Sequence, residues 1–399
     1  MATIQDNEIT VGSARDLLKA SMKLHIEVLE RDKKIAMLNA FGVVNYHKDL
    51  TQASGSTLTL YNAPRITGKG NVGDHDRYSN ATPLESGART LQIRLHDKTV
   101  KYALAGSERQ QISEFDLKAR TPRQLAEWMK AYLLAQWMNQ LGGNTGTSVY
   151  APDVSDDVFS TAADRLLIAG HNTPVAPSTR YKGYGSLAAG SISADESVDA
   201  DNPLRLADFM AAREVINSTE VGVPVWNRLQ RAVEGVNVDA IALVSVTGMN
   251  QLKQDATTIG QGLSFPQLMY ATLAGGQKLP MPANTYVYEG IAFVEMPDNL
   301  MPRGVHSGTA APVANTRRAI IVGADALDFA LGKGFSFNGK TVPGFEITTD
   351  EDRDKLNKIG YANVGVNSGS KKVQLFGTGA NASTAYDNAT FVITHYSRT

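Results

Sequence analysis

The sequence predicts an α+β protein with more than one structural unit, on three observations. Thr57–Tyr61 and Thr90–Leu95 alternate with period two and read as half-buried strands. Pro122 to Leu141 carries apolar residues at helical spacing and reads as one long helix. Val238–Val246 and Arg318–Gly323 are dominated by apolar residues, the pattern of strands covered on both faces. The chain has 399 residues, which at roughly 100–200 per domain suggests two or three units.

Taken in chain order, the first helix comes from Leu18, Met22, Ile26 and Leu29, spaced by four and three and expected to face the core. Ser13, three residues before Asp16, is its candidate cap. His25 lies at the edge of that stripe and has no second ligand one turn away, so it reads as a core-edge histidine. From Gly55 to Leu104 two alternating strands flank Asn62 to Arg89, which is rich in Gly, Asn, Asp, Ser and Pro. A two-stranded excursion of this length cannot stabilise itself in water and needs a surface to lie on.

The long helix has the clearest start signal. Thr121 as cap, Pro122 at the first position and Gln124 at the third form a capping box. Leu125, Trp128, Met129, Tyr132, Leu133, Trp137, Met138 and Leu141 follow at helical spacing, until Gly142-Gly143. At 1.5 Å per residue the rod is about 30 Å long. Beyond it, Ser155–Ile168 and Pro203–Ile216 are helical in pattern, the latter with Leu206, Phe209 and Met210 on one face. Gly183–Asn202 reads as loop. Tyr286–Val294 reads as two strands joined by a tight Glu289-Gly290 turn. Lys372–Phe376 and Phe391–His395 return the chain to β structure.

Composition excludes several functions. Lysine and arginine number 39 against 40 aspartates and glutamates, a net charge of −1, so the chain lacks the basic excess of a nucleic-acid coat. No cysteine is present, which removes disulfides, zinc–thiolate centres, thiol nucleophiles and iron–sulfur clusters. Met1 to Glu8 has neither a basic nor an apolar region, and no apolar run reaches the roughly 18–20 residues that span a bilayer. A soluble, non-secreted chain is expected.

Motifs that carry chemistry fail on context. Gly68-Lys69-Gly70-Asn71-Val72-Gly73 matches G-x-G-x-x-G, but Asp74-His75-Asp76-Arg77 and Pro83 follow instead of a helix. The glycines read as a loop tip, and phosphate binding there is the reading of a cytoplasmic α/β enzyme. Asp74-His75-Asp76 has metal-ligand residue types without a partner cluster, and Asp195, Glu196, Asp199 and Asp201 lack EF-hand spacing and read as a solvated loop. No H-E-x-x-H or G-x-S-x-G occurs. No catalytic residue, cofactor or metal site is expected.

Several blocks, in order, carry a resemblance. Gly55-Ser56-Thr57-Leu58-Thr59-Leu60 and Gly68–Asp74 are followed by Leu91–Leu95, Lys101–Leu104 and the helix from Phe115-Asp116-Leu117-Lys118 through Trp128. Ala319–Leu327 and Lys371–Gly377 complete the series. The chain resembles the major capsid proteins of tailed bacteriophages, and within them the N4-like short-tailed phages. The resemblance implies the tailed-phage and herpesvirus capsid fold of the Hong Kong ninety-seven type. On that pattern 1–54 is an N-terminal arm, 55–104 an extended loop reaching a neighbour, and 105–144 the peripheral domain with its spine helix. Residues 145–345 are mainly the axial domain, and 346–399 return to the peripheral domain.

The implied function is self-assembly into hexamers and pentamers of an icosahedral virion shell around double-stranded DNA, put together in the host bacterial cytoplasm. Partners on that reading are other copies, a portal, a separate scaffolding protein and a decoration protein, with DNA contacted weakly and no membrane. Arg65, Lys69, Asp74, Asp76, Arg77 and Arg89 on the extended loop are the candidate contacts between subunits. No covalent crosslink is expected. A cellular nanocompartment shell of the encapsulin kind is the alternative within the same fold.

Overall fold

The computed structural model describes residues 14–48, 57–62, 87–103, 117–142, 182–184, 195–217, 226–229, 231–233, 236–255, 285–304, 313–337, 339–352, 359–376 and 385–397. Two sheets and one long helix organise these segments. Helix α1 (Ala14–Leu29) and the short α2 (Lys33–Ala40) come first. Asp32 caps α2, its carboxylate accepting from the backbone N–H of Lys34 and Ile35 at 3.0 Å.

Helix α1 buries only the two ends of the stripe its sequence suggested. Leu18 and Leu29 are buried as expected, together with Ser21, Leu24 and Val28, while Met22 is 50% and Ile26 41% exposed. The helix carries two overlapping apolar stripes, and the strands beneath select the Leu24–Val28 one. The Ser21 hydroxyl accepts from the Ile347 N–H at 3.2 Å, and the His25 ring meets Phe345 edge-on at 5.4 Å. Burial pushes the His25 imidazole down from its ordinary value. The Ser13 cap lies outside the described residues.

The first sheet has five strands in the order β1 (Val44–His47), β12 (Leu327–Leu331), β16 (Ile359–Lys372) and β15 (Phe345–Asp352), with β4 (Arg94–Ala103) also paired to β16. β1 runs parallel to β12, and the other pairs are antiparallel. β16 escapes a reading by periodicity because Gly360, Gly365 and Gly369 interrupt its side-chain pattern. Gly360 is there for space: a Cβ on it would lie 2.4 Å from the Tyr102 ring.

Helix α3 (Leu117–Gly142) packs across this sheet against β16 and β4. It begins four residues before the Thr121 cap that the capping box suggested, and Pro122 sits inside it. The proline is tolerated because its missing N–H would serve only the carbonyl of Lys118, in the opening turn. Every residue from Tyr132 to Gly142 is buried, and Trp137 meets Phe329 of β12 edge-on at 5.2 Å. The apolar positions read from the sequence all face protein, with only Trp128 partly open.

The second sheet has six strands, ordered β5 (Lys182–Tyr184), β19 (Thr390–Tyr396), β11 (Thr316–Val322), β8 (Ala240–Ser245), β10 (Ile291–Met296) and β9 (Thr285–Tyr288). β8 and β11 are buried along their whole length, as their apolar runs require. The Glu289-Gly290 turn between β9 and β10 has both residues at positive φ, 45° and 82°, the primed geometry of a two-residue hairpin. Helix α4 spans Leu206–Asn217, starting three residues after Pro203, with Leu206, Phe209, Ala212 and Ile216 inward and Met210 only half-buried. Helix α5 (Val246–Asp255) follows β8.

The expected loop 183–202 is partly ordered: Gly183 and Tyr184 lie in β5, and Asp195–Ser197 form a 3-10 turn. Smaller pairs are β2 (Thr57–Asn62) with β3 (Gly87–Gln92), β6 (Arg231–Val233) with β7 (Val236–Val238), β13 (Lys333–Phe337) with β14 (Lys340–Pro343), and β17 (Gln374–Phe376) with β18 (Ala385–Asp387). One contiguous apolar core runs through both sheets and all five helices among the described residues. The expected helix at 155–168 lies outside them.

Candidate subunit-contact surface

The β2–β3 pair follows the alternation of the sequence, with Thr57 opposite Gln92 and Asn62 opposite Gly87, but the expected strand Thr90–Leu95 is split at Ile93 between β3 and β4. Alternation gives it two faces. Leu58 and Leu60 share one with Leu91, whereas Thr59 and Tyr61 share the other with Thr90 and Ala88. Among the described residues, its base is held by the chain itself: Leu91, Ile93 and Ala330 of β12 form a small buried cluster on which Leu58 packs. Lys371 of β16 donates to the Thr90 carbonyl at 3.1 Å. The hairpin is therefore better supported at its root than its composition suggested. Farther along β2, Leu60 is half-buried and Tyr61 is 76% exposed.

The strand leaving the hairpin is tied to α3. His96 of β4 and the Tyr132 hydroxyl lie 2.6 Å apart, and Tyr132 stacks on Trp128 at 4.8 Å. Burial pushes the His96 imidazole down to about 4, so it is neutral at pH 7 and accepts the hydroxyl proton at Nδ1. The opposite face of β4 is open, with Leu95 60% exposed and Lys101 over the Tyr361 ring at 5.6 Å.

A buried polar joint connects α3 with the six-stranded sheet. Arg318 of β11 donates to the Gly142 carbonyl at the end of α3, 2.6 Å away, and to the Asp195 carboxylate at 2.5 Å. The Thr394 hydroxyl of β19 donates to the other Asp195 oxygen at 3.0 Å. The arginine satisfies a terminal helix carbonyl and meets the negative end of the dipole there. Asp195, which read as part of a solvated loop, is 1% exposed and is the counter-charge of this joint. Asp199 keeps the loop role, accepting from the Asp201 N–H at 3.0 Å. A second buried pair, Lys372 with Asp387 at 2.7 Å, links β16 to β18.

Of the six candidate contact residues, Arg65, Lys69, Asp74, Asp76 and Arg77 lie outside the described residues. Arg89 is in β3 opposite Leu60, its backbone alone being described. Gly68–Gly73 and Asp74-His75-Asp76 lie outside as well. The exposed apolar residues Met22, Ile26, Tyr61 and Leu95 were missed as surface features. Their exposure depends on which face each element buries. Among the described residues no three His, Asp or Glu side chains gather as a metal site, and no helix is long and apolar enough to cross a membrane.

A family model described as phage capsid protein matches residues 8–399. The chain belongs to the phage capsid protein family. It is a major capsid protein, a structural component of the phage head and not an enzyme. The capsid of Ralstonia phage GP4 is similar in fold, with a TM-score of 0.62 at 14% identity over 100% of this chain and 96% of that one. The cyanophage Pam1 capsid has a TM-score of 0.56 at 16% identity, over 99% and 96%. The head of Helicobacter pylori bacteriophage KHP40 has 0.52 at 14%, over 99% and 95%. No curated protein matches the sequence. The capsid protein thus has the Hong Kong ninety-seven type of fold that its motif order implied.

Proposed function

We propose that this capsid protein assembles with copies of itself into hexamers and pentamers that close as an icosahedral shell around a phage double-stranded DNA genome. The observation that carries the reading is the β2–β3 strand pair, fixed at its root and with Tyr61 exposed on β2, in a chain matched to the capsid family from residue 8 to 399. A strand pair with an exposed aromatic gains stability by lying on a neighbouring copy. Such head-to-tail contacts close into rings, and rings into a shell. The net charge of −1 keeps mutual repulsion low between copies packed side by side.

On this reading α3 is the spine helix and the five-stranded sheet is the peripheral unit. The six-stranded sheet is the core of the axial unit, and residues 55–104 form the extended loop. Arg65, Lys69, Asp74, Asp76, Arg77 and Arg89 contact the neighbour. Exposed charge pairs are each worth roughly 0–1 kcal/mol, so reversing one weakens assembly modestly and reversing all six reduces it strongly. A portal, a separate scaffolding protein and a decoration protein are the further partners. Assembly takes place in the host bacterial cytoplasm, and the motif series supports a kinship with the N4-like short-tailed phages.

Electron microscopy of the purified protein tests the reading. Closed icosahedral particles are expected, with hexameric and pentameric units. A protein that stays monomeric under every condition, with or without a scaffold, overturns it.

A further inference from the structure

Two consecutive arginines of β11 are treated differently by the fold. Arg318 faces the end of α3 and has Asp195 as its counter-charge. Arg317 points to the other face of the sheet, where α5 lies, directly opposite His395 of β19. Only 7% of Arg317 is exposed, yet among the described residues it makes no ion pair. Its one hydrogen bond runs from Nη1 to the carbonyl of its own neighbour Thr316 at 3.2 Å, and Nε is buried without a partner. Asp298, the carboxylate whose field reaches it, accepts from the N–H and the hydroxyl of Thr247 at 3.2 and 2.7 Å. A second positive charge stands alongside. The Arg318 N–H donates to the Pro302 carbonyl and the Gly304 N–H to the Thr316 hydroxyl, both at 2.9 Å, which sets Arg303 beside Arg317. Arg303 has contacts of its own in the chain. Burial, and then the Arg303 charge, push the Arg317 guanidinium down from its ordinary value.

We infer that Arg317 holds a hydrogen phosphate ion on its Nε–Nη2 edge. An enclosed arginine without a counter-charge is costly, and native structures carry one only with a partner. With Nη1 tied to Thr316, the Nε–Nη2 edge is the one left, and its two parallel N–H groups match two oxygens of a tetrahedral oxyanion. His395 narrows the choice of ion. Its Nδ1 faces two acceptors, Gln251 Oε1 and the Tyr396 carbonyl, which leaves Nε2 as a buried lone pair with no donor. An ion that satisfies both neighbours accepts from the arginine and still has a proton to offer the histidine. Hydrogen phosphate does both at pH 7. Sulfate has no proton to offer, nor has a phosphate of the DNA backbone, and a duplex does not reach a side chain so enclosed. The ion is structural: it links β11 to β19 inside the six-stranded sheet.

The test uses the full-length chain and does not depend on assembly. Replacing chloride by inorganic phosphate at pH 7 and constant ionic strength is expected to raise the thermal midpoint by about 3 °C. Sulfate is expected to raise it less, and equilibrium dialysis to find a single phosphate per chain. Arg317→Met is expected to lose the difference between phosphate and chloride. In chloride it should be as stable as wild type, because an apolar chain replaces an uncompensated charge. Arg317→Lys keeps the charge without the two-pronged edge and is expected to lose most of the difference. A wild-type chain that binds no phosphate and shows no shift overturns the inference. So does an equal shift from sulfate, or from a DNA duplex at the same phosphate concentration. A shift that survives in both variants overturns it too, because the ion then binds elsewhere. So does a steep fall of Arg317→Met in chloride, which means that the chain itself satisfies the arginine. If Arg317→Met does not fold, phosphate dialysis of wild type against Arg317→Lys decides: equal binding overturns the inference, and binding by wild type alone supports it.

Discussion

His395 shows how one buried side chain sets a pH limit. The ring is fully enclosed in β19, beneath Gly248 of α5, with Nδ1 3.1 Å from Gln251 Oε1 and 3.0 Å from the Tyr396 carbonyl. Both are acceptors, so Nδ1 holds the proton, and Nε2 finds no hydrogen-bond partner. Burial pushes the imidazole down from 6.5 to about 4, against the raising effect of Asp298 and with Arg317 lowering it further. His96 is pushed to about 4 as well. The unfolded chain therefore takes up protons at these sites first as the pH drops below 6.5. The stability they supply is complete above that pH and is lost on the way down to about 4. Urea midpoints measured across that window are expected to fall, and His395→Gln with His96→Gln to flatten the fall. Parallel slopes in variant and wild type would refute this.

Asp195 makes the complementary point. Nothing in Ala194-Asp195-Glu196 distinguishes a buried aspartate from a solvated one. Its burial is decided by Arg318, 123 positions away in sequence. Replacing it by alanine leaves an arginine enclosed without a counter-charge, a loss of about 3–5 kcal/mol. The thermal midpoint of Asp195→Ala should drop by many degrees. A shift within error would mean that the joint holds nothing together.

Among the elements, α3 was the most legible in its apolar period and its end at Gly142, but not in its start, which lies four residues before the expected Thr121 cap and leaves Pro122 inside the helix. Even there the glycine serves a second purpose. A Cβ on Gly142 would lie 2.5 Å from Pro302 Cγ and 2.8 Å from Ile320 Cδ1. Gly142→Ala is therefore expected to cost about 1–3 kcal/mol by overpacking, read as a lower denaturant midpoint. The buried strands β8 and β11 were also legible, from the short apolar runs Ala240–Val244 and Ala319–Val322. Helix α1 was legible as a helix but only in part in its orientation: two apolar stripes competed, and β13, β14 and β15 beneath chose between them. β16 was invisible, because Gly360 and its fellow glycines are set by neighbours such as Tyr102 and erase the alternation a strand displays.

For the whole molecule, no single motif revealed the role. The order of many weak ones did, and the family match over residues 8–399 agrees with that order. The contact surface was only half readable, because exposure is a property of the finished fold. Tyr61 is the sharpest case, an aromatic in an alternating strand that projects 76% free. Tyr61→Ala should leave the thermal midpoint of the unassembled chain unchanged and reduce particle yield several-fold by removing one interface aromatic. Equal yield would place the hairpin outside the lattice contacts.

β19 lies between β11 and β5, so its residues fill the interior of a sheet whose other strands are made much earlier. A chain still tethered to the ribosome before Thr390 emerges presents β11 with one side open, and β5 with no partner among the described strands. The six-stranded sheet is thus completed only late in translation. A polypeptide stopped before β19 is expected to aggregate through that vacant edge.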